Sequence, residues 1–214
     1  MEVEDGYPNY LVEKGTFFTR PEGIPLLMDL HNTEIPKDII PFDKAKTCKN
    51  KRQYVHFYMY DQKFAKFLKN VDKYIDMLQL YDGVITPDCT LLAGQLPCLQ
   101  QSNTFINRAV GVYLQRHHIP VIPNIRWSDK DSFSYCFKGV PKNMIVSVST
   151  LGCIRSKEEK EMFKKGLKQT IKRINPPKIL VHGYMPDEVF GDFDQNLFKR
   201  YPSEIEKAHS KISQ

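Results

Sequence analysis

"YVHFYMYDQKFAKFLKNVDKYIDMLQLYDGVITPDCTLL", residues 54–92, decides the fold. Its first eight residues are rich in strand formers and end in Asp61. From 62 to 80 the period changes. Phe64, Phe67, Leu68, Val71, Ile75 and Leu78 recur at steps of three and four, with lysines and aspartates between them. That spacing predicts an amphipathic helix. A second short apolar run follows and stops at Pro87-Asp88. Strand, helix, strand in this order is the unit from which parallel sheets are built.

The alternation continues downstream. "NTFINRAVGVYLQRHH", 103–118, predicts a helix with Asn103 as its candidate cap. "VIPNIRW" ends a strand over 120–127, and "VPKNMIVSVSTLG", 140–152, holds a strand ending in Ser149-Thr150. Residues 156–174 predict a helix with Ser156 and Glu159 spaced as a capping box, and an apolar stripe of Met162, Phe163, Leu167 and Ile171. A last strand, 177–186, ends at His182-Gly183. Upstream, 23–30 reads as a short strand, and prolines 25, 36 and 41 make 31–50 a loop-rich connection. Residues 1–22 form a lead-in with turn signals at Gly6-Tyr7-Pro8 and Pro21-Glu22-Gly23, and 187–214 a mixed tail with a short helix. The whole chain, 1–214, is expected to be one α/β domain.

Alternating elements imply parallel strands joined by crossover helices. The strands are nearly continuous apolar runs, as required when both faces are covered. The expected architecture is a parallel sheet arranged as an incomplete or irregular TIM-barrel; an open doubly wound sheet is the alternative. A full eight-stranded barrel takes about 250 residues, and this chain has 214.

Hydrophobic residues make up 41% and charged residues 26%, the balance of a globular chain. The net charge of +6 suits acidic partners or simply solubility. Five cysteines at 48, 89, 98, 136 and 153 contain no C-x-x-C pair, which suggests free thiols in a reducing compartment and no zinc site. The acidic start lacks the basic flank and apolar run of a signal peptide, and no window has the length of a membrane span. A cytoplasmic protein without membrane contact is expected. No dinucleotide fingerprint, Walker loop, metalloprotease helix or nucleophile elbow is present, so no cofactor and no metal is predicted.

Parallel α/β folds bind ligands at the carboxyl ends of their strands, because all the following loops emerge at one edge. The exits carry Tyr60 and Asp61, then Thr86, Asp88 and Cys89, then Asn124, Arg126, Trp127 and Asp129, then Ser147, Ser149 and Thr150, then His182 and Tyr184. The candidate catalytic residues are Asp88, Arg126 and Asp129: two carboxylates and a guanidinium suit acid–base work or an anionic ligand. Asn124, Trp127, Thr150 and His182 are candidate ligand contacts. Each has a plainer reading. Asp88 suits the turn after Pro87, Asp129 and Asp131 suit caps of a short helix near 130–136, and His182 and Trp127 suit a core. The basic stretch 43–60, with Lys44, Lys46, Lys49, Lys51 and Arg52, suits a phosphate backbone or a solvated loop.

The segments "YDGVITPDCTL", "NTFINRAVGVYLQRHHIPVIPNIRW", "DSFSYCFKGVPKNMIVSVSTLGC" and "KILVHGYMP" resemble the domain of unknown function 4417 family of bacterial, phage and mobile-element proteins. The resemblance covers roughly 54–190. It implies that Asp88, Asn103, Arg108, Asn124, Arg126, Trp127, Ser132, Phe133, Cys136 and Gly139 are the pattern's polar, aromatic and turn points, and it adds Asn103 and Arg108 to the ligand candidates. The family's usual strand after 190 is not obvious here. The family name assigns no reaction. Two functions stay open: a phage- or mobile-element-type protein that binds or acts on a nucleotide or nucleic acid at the strand ends, and a non-catalytic factor that binds and inhibits a host or defence protein. A phage origin would place either in the host cytoplasm.

Overall fold

The computed structural model describes residues 9–12, 15–29 and 34–212. The turn signal at Gly6-Tyr7-Pro8 lies outside them. Strands and helices alternate along the chain: β1 (Ile39–Pro41), α1 (Phe42–Ala45), β2 (Tyr54–His56), α2 (Asp61–Lys69), α3 (Asp72–Leu78), β3 (Gly83–Ile85), α4 (Pro97–Arg116), β4 (Val121–Ile122), β5 (Val146–Ser149), α5 (Lys157–Ile174), β6 (Ile179–His182), α6 (Asp187–Phe190), β7 (Phe198–Tyr201) and α7 (Glu204–Ile212). The strands pair in parallel in two sheets, β1-β2-β3-β4 and β5-β6-β7. A parallel bridge between Asn124 and Ser147 joins them. Its hydrogen bonds run from Ile125 N to Ser147 O, 2.8 Å, and from Ser147 N to Pro123 O, 2.9 Å.

The predicted class, parallel α/β, is what forms. Of its two arrangements the open one fits. Among the described residues backbone pairing closes no barrel, since β7 and β1 do not pair. Instead the Tyr201 hydroxyl donates to the Pro36 carbonyl beside β1.

Strand residues alternate between two packed faces. Val55, Val84 and Val121 enter the core under α2, α3 and α4, while Val146, Val148, Ile179 and Val181 meet α5 and Trp127. The opposite face buries Ile39, Tyr54, Tyr58, Ile85, Ile122, Leu180 and Tyr201. Both faces are covered, so period-2 patterning is invisible in the sequence.

Several boundaries differ from expectation. The 31–50 connection contains β1, whose Pro41 is tolerated because β1 is an edge strand. Of the strand expected over 23–30, the described residues 23–29 form none; they carry an antiparallel bridge between Phe18 and Pro25. The helix expected over 62–80 is two, because Asn70 leaves helical geometry (φ −158°, ψ 83°). The helix expected from Asn103 starts at Pro97, where a missing N–H leaves nothing unsatisfied. Asn103 is therefore inside α4 and caps nothing. The strand over 120–127 shrinks to Val121–Ile122 between two prolines. The tail from 187 is not loose: it supplies β7, whose exposed Lys199 and Arg200 read as loop although they suit a sheet edge. The capping box at α5 is present, with Glu159 N donating to Ser156 Oγ at 3.2 Å and Ser156 N to Glu159 Oε2 at 3.2 Å.

Gly166 fixes how α5 sits. Trp127 lies so close that a Cβ on Gly166 would be 2.0 Å from its Cε2. Glycine inside an exposed helix costs about 1 kcal/mol against alanine, so Gly166→Ala at an open site would stabilise. Here the sign reverses. Gly166→Ala is expected to lower stability by about 1–3 kcal/mol, read as a lower urea midpoint with Trp127 fluorescence altered in the folded state.

Candidate functional site

The exits of β2, β3, β4 and β5 converge on Asn124. Pro123 ends the β4 ladder and turns the chain so that Asn124 sits between the two sheets. All four of its polar groups are engaged. Its N–H donates to Thr86 Oγ1 at 2.8 Å, and its carbonyl accepts from Arg108 Nη1 at 3.0 Å. Its Oδ1 accepts from the Tyr58 hydroxyl at 3.2 Å, and its Nδ2 donates to Asp88 Oδ1 at 2.8 Å. A carboxylate accepts only and a hydroxyl can donate, so this network fixes which way the amide points. Tyr58 also meets Ser147 Oγ at 2.5 Å.

Asp88 is the next link. Its Oδ2 is 3.4 Å from Arg126 Nη1, and both side chains are largely buried. Burial pushes the Asp88 carboxyl up despite Arg126 and Asn124 beside it. Arg126 is also buried, which works against its charge, yet Asp88, Cys153 and Asp61 hold its pKa above the usual value. The two directions are compatible: the contact is too long to offset the desolvation of Asp88, while the same carboxylate favours the guanidinium. Arg126 Nη1 also donates to Cys153 Sγ at 2.9 Å. Its Nε is buried with no partner among the described residues.

Arg126 forms part of the wall of a cleft of about 350 Å³. Leu91, Ile125, Trp127, Met162 and Phe163 make its apolar side. Ser128, Asp129, Ser149, Cys153, Glu158 and Glu159 complete the polar side. Asp88 and Asn124 are not in the lining; they stand behind Arg126.

The other sequence candidates divide. Asp129 lines the cleft, but its Oδ1 accepts from Ser132 N at 3.0 Å, which ties it to the 3-10 turn Asp131–Ser134, although the N-cap position there is Lys130 and not Asp129 or Asp131. Trp127 also lines the cleft while packing on Phe163 at 5.0 Å between centroids. Asn103 Nδ2 donates to Thr90 O at 2.6 Å and secures the loop after β3. Thr150 is buried and bonds the His182 carbonyl from both N and Oγ1, at 3.0 and 3.3 Å. Neither Asn103, Thr150 nor His182 reaches the cleft wall. Arg108 is fully buried, with Nε on Lys138 O at 3.0 Å, Nη2 on Cys136 O at 2.8 Å and Nη1 on Asn124 O and Asn107 Oδ1. Burial lowers its pKa to about 10. It joins segments together and faces no ligand space large enough for one.

The sequence reading missed Tyr58, Cys153 and Glu158 as members of this region. Tyr58 had a signal, since it lies two residues from His56 and so on the same face of an extended run. Cys153 lies in the turn just past β5, another strand exit, where its sulfur meets Arg126. Glu158 had no signal, because only the packing of α5 brings it to the cleft. Asp61 was noted as a strand exit; its carboxylate accepts from Thr90 N at 3.1 Å and Thr90 Oγ1 at 2.8 Å. Among the described residues no group of His, Cys, Asp or Glu is placed to hold a metal ion. No helix among them is long and apolar enough to cross a membrane.

A family profile described as a domain of unknown function (DUF4417) matches residues 18–202. The chain is 30% identical over 149 residues to the Gene 1 protein of Mycobacterium phage L5, covering 70% of this chain and 64% of that protein. It is 26% identical over 159 residues to the Gene 1 protein of Mycobacterium phage D29, covering 74% of this chain and 58% of that protein. The chain thus spans less than two thirds of these relatives. No solved structure matches it.

Beneath the site lie two buried imidazoles. His182 stacks on Tyr58 at 4.5 Å and 14°, lies 4.9 Å from His56, and its Nδ1 is 3.1 Å from Ser149 Oγ. Burial lowers the His182 pKa to about 4 and moves His56 well below its usual value. The unfolded chain therefore binds these protons more readily. The stability that neutral His182 contributes is complete above about pH 6.5 and is lost as pH falls toward 4. Between about pH 7.5 and about pH 5 the protein is expected to lose about 2 kcal/mol more than His182→Gln does, measured by urea unfolding. Asp88, whose raised carboxyl acts in the opposite sense, is common to both proteins. Equal losses would remove His182 as the cause. Arg108→Met is expected to cost about 3–5 kcal/mol, since it leaves several buried carbonyls without donors, by the same measurement.

Proposed function

This chain belongs to the DUF4417 family, a family that assigns no reaction, and from that premise we propose that it is a phage-type protein that binds a nucleotide or nucleic-acid ligand in the cleft beside Arg126. One observation carries the reading. A mostly buried guanidinium, oriented from behind by Asp88, meets a cleft with an apolar, partly aromatic side. Pockets for small ligands combine these two features, apolar walls and a few fixed polar groups. The cleft volume is at the small end of the ordinary range of about 300–1,000 Å³. Its position at the strand ends matches where parallel α/β folds bind.

Binding is better supported than catalysis. Asp88 is separated from the cleft by Arg126, so it acts as a positioning residue. Asp129 reaches the cleft but is occupied by its turn. Neither carboxylate is presented to a ligand as an acid or base should be, within hydrogen-bond reach of the reacting proton.

The reading in which the chain inhibits a host or defence protein has one observation of its own. Leu92, Leu96 and Leu99 are 57%, 65% and 49% exposed on the segment that leads from the cleft into α4. Exposed apolar groups in one segment suit a protein partner.

The test is calorimetric titration of nucleosides, nucleotides and short single-stranded DNA and RNA into wild type and Arg126→Gln. A charged hydrogen bond contributes about 1.5–3 kcal/mol, so the variant should bind at least about tenfold more weakly. Because it also leaves the buried Asp88 without its cation, its urea midpoint should fall, and binding is compared under denaturant-free conditions where far-UV circular dichroism shows both proteins folded. The proposal fails if no member of the set binds wild type, or if Arg126→Gln binds equally well.

A further inference from the structure

Resting on that reading, we infer that the cleft takes its ligand base-first: the occupant is an unphosphorylated or unpaired nucleobase with an amino group, and any phosphate stays outside. The charges of the lining carry this. Its only cation is Arg126, already neutralised by Asp88. Against it stand three carboxylates, Asp129, Glu158 and Glu159. A phosphate drawn to the guanidinium would enter a site whose formal charge is already negative, and repulsion between like charges grows as water is removed. The overall +6 of the chain therefore misleads about this site.

A nucleobase suits the same groups. Its faces match the apolar side of the cleft, to which Trp127 and Phe163 contribute. Its ring nitrogens and carbonyls accept from a guanidinium, and its amino group donates to a carboxylate. Arg126 makes hydrogen bonds only through Nη1 among the described residues, so its other edge has no protein acceptor. Among the carboxylates Glu159 accepts from Arg155 N and Ser156 N, and Asp129 from Ser132 N through Oδ1. Glu158, in the first turn of α5, is exposed at the cleft, and its own bonds leave carboxylate lone pairs to meet an amino group. It is held ionised by hydrogen bonds from its own backbone and Ser156. Guanine and cytosine offer acceptors and an amino donor together. Uracil has no amino group.

The experiment titrates guanosine, cytidine, uridine, guanosine monophosphate and inorganic phosphate into wild type and Glu158→Gln, at low and high salt. Guanosine or cytidine should bind at least about threefold more tightly than guanosine monophosphate at low salt, and the gap should shrink at high salt as the carboxylates are screened. Glu158→Gln should narrow the same gap and weaken both amino-bearing nucleosides relative to uridine. The inference is overturned if the monophosphate binds more tightly than guanosine, if inorganic phosphate displaces guanosine, or if uridine equals guanosine. In those cases Arg126-dependent binding of a nucleotide still stands. If nothing in the set binds wild type, the proposed function itself falls.

Discussion

The structure depends on a guanidinium buried without a carboxylate. Arg108 projects from α4 into the junction between the two sheets and is surrounded by carbonyl oxygens of Asn124, Cys136 and Lys138. Removing a charge from water costs several kcal/mol unless every donor finds a partner. Arg108 meets that condition only if the chain after β4 and the turn at 136–139 both run past α4 at hydrogen-bonding distance. Gly139 makes the approach feasible, since a Cβ there would meet the Pro25 carbonyl at 2.3 Å and Arg108 Cγ at 3.2 Å. One side chain thereby fixes three segments. The backbone of Asn124 is one of them.

From Asn124 the order passes outward. Its backbone N–H is held by Thr86 and its Oδ1 by the Tyr58 hydroxyl, and so its Nδ2 is turned to Asp88. Asp88 in turn aims Arg126 along the cleft wall. Each step replaces a water-exposed polar group with a partnered one in a region of low dielectric, where hydrogen bonds strengthen one another and a missing partner is costly. The result is a guanidinium held in one orientation by the fold itself. For the binding proposed above, such preorganisation would raise affinity because the ordering cost is met on folding.

The meeting of Asp88, Asn124 and Arg126 was legible in the sequence because it follows from topology. Each residue sits just past a strand, and parallel strands deliver their ends to one edge. What the sequence did not show was depth. Thr150 and His182 leave their strands at the same edge but turn inward beneath the site, with His182 stacked on Tyr58. Arg108 and Asn103 matched the family pattern, yet both hold loops in place. A polar residue that supports a backbone and one that meets a ligand have the same one-letter text. Their difference lies in which atoms their hydrogen bonds reach. Similarly β7 was hidden because an edge strand needs charge on its exposed face, and Lys199 and Arg200 supply it.

By itself the sequence determined the class and the rim: short apolar runs alternating with amphipathic helices can only bury both sheet faces in a parallel α/β fold, and their exits must then share one edge. The period of the apolar residues is local, so it survives without coordinates. The tertiary structure decided that the sheet stays open, that Asp88 stands behind Arg126, and that α5 brings Glu158, and the turn after β5 Cys153, to the cleft. These depend on distances between segments remote in the chain. Such distances are set by packing, above all by Trp127 against Gly166 and by the carbonyls around Arg108, and no local pattern encodes them.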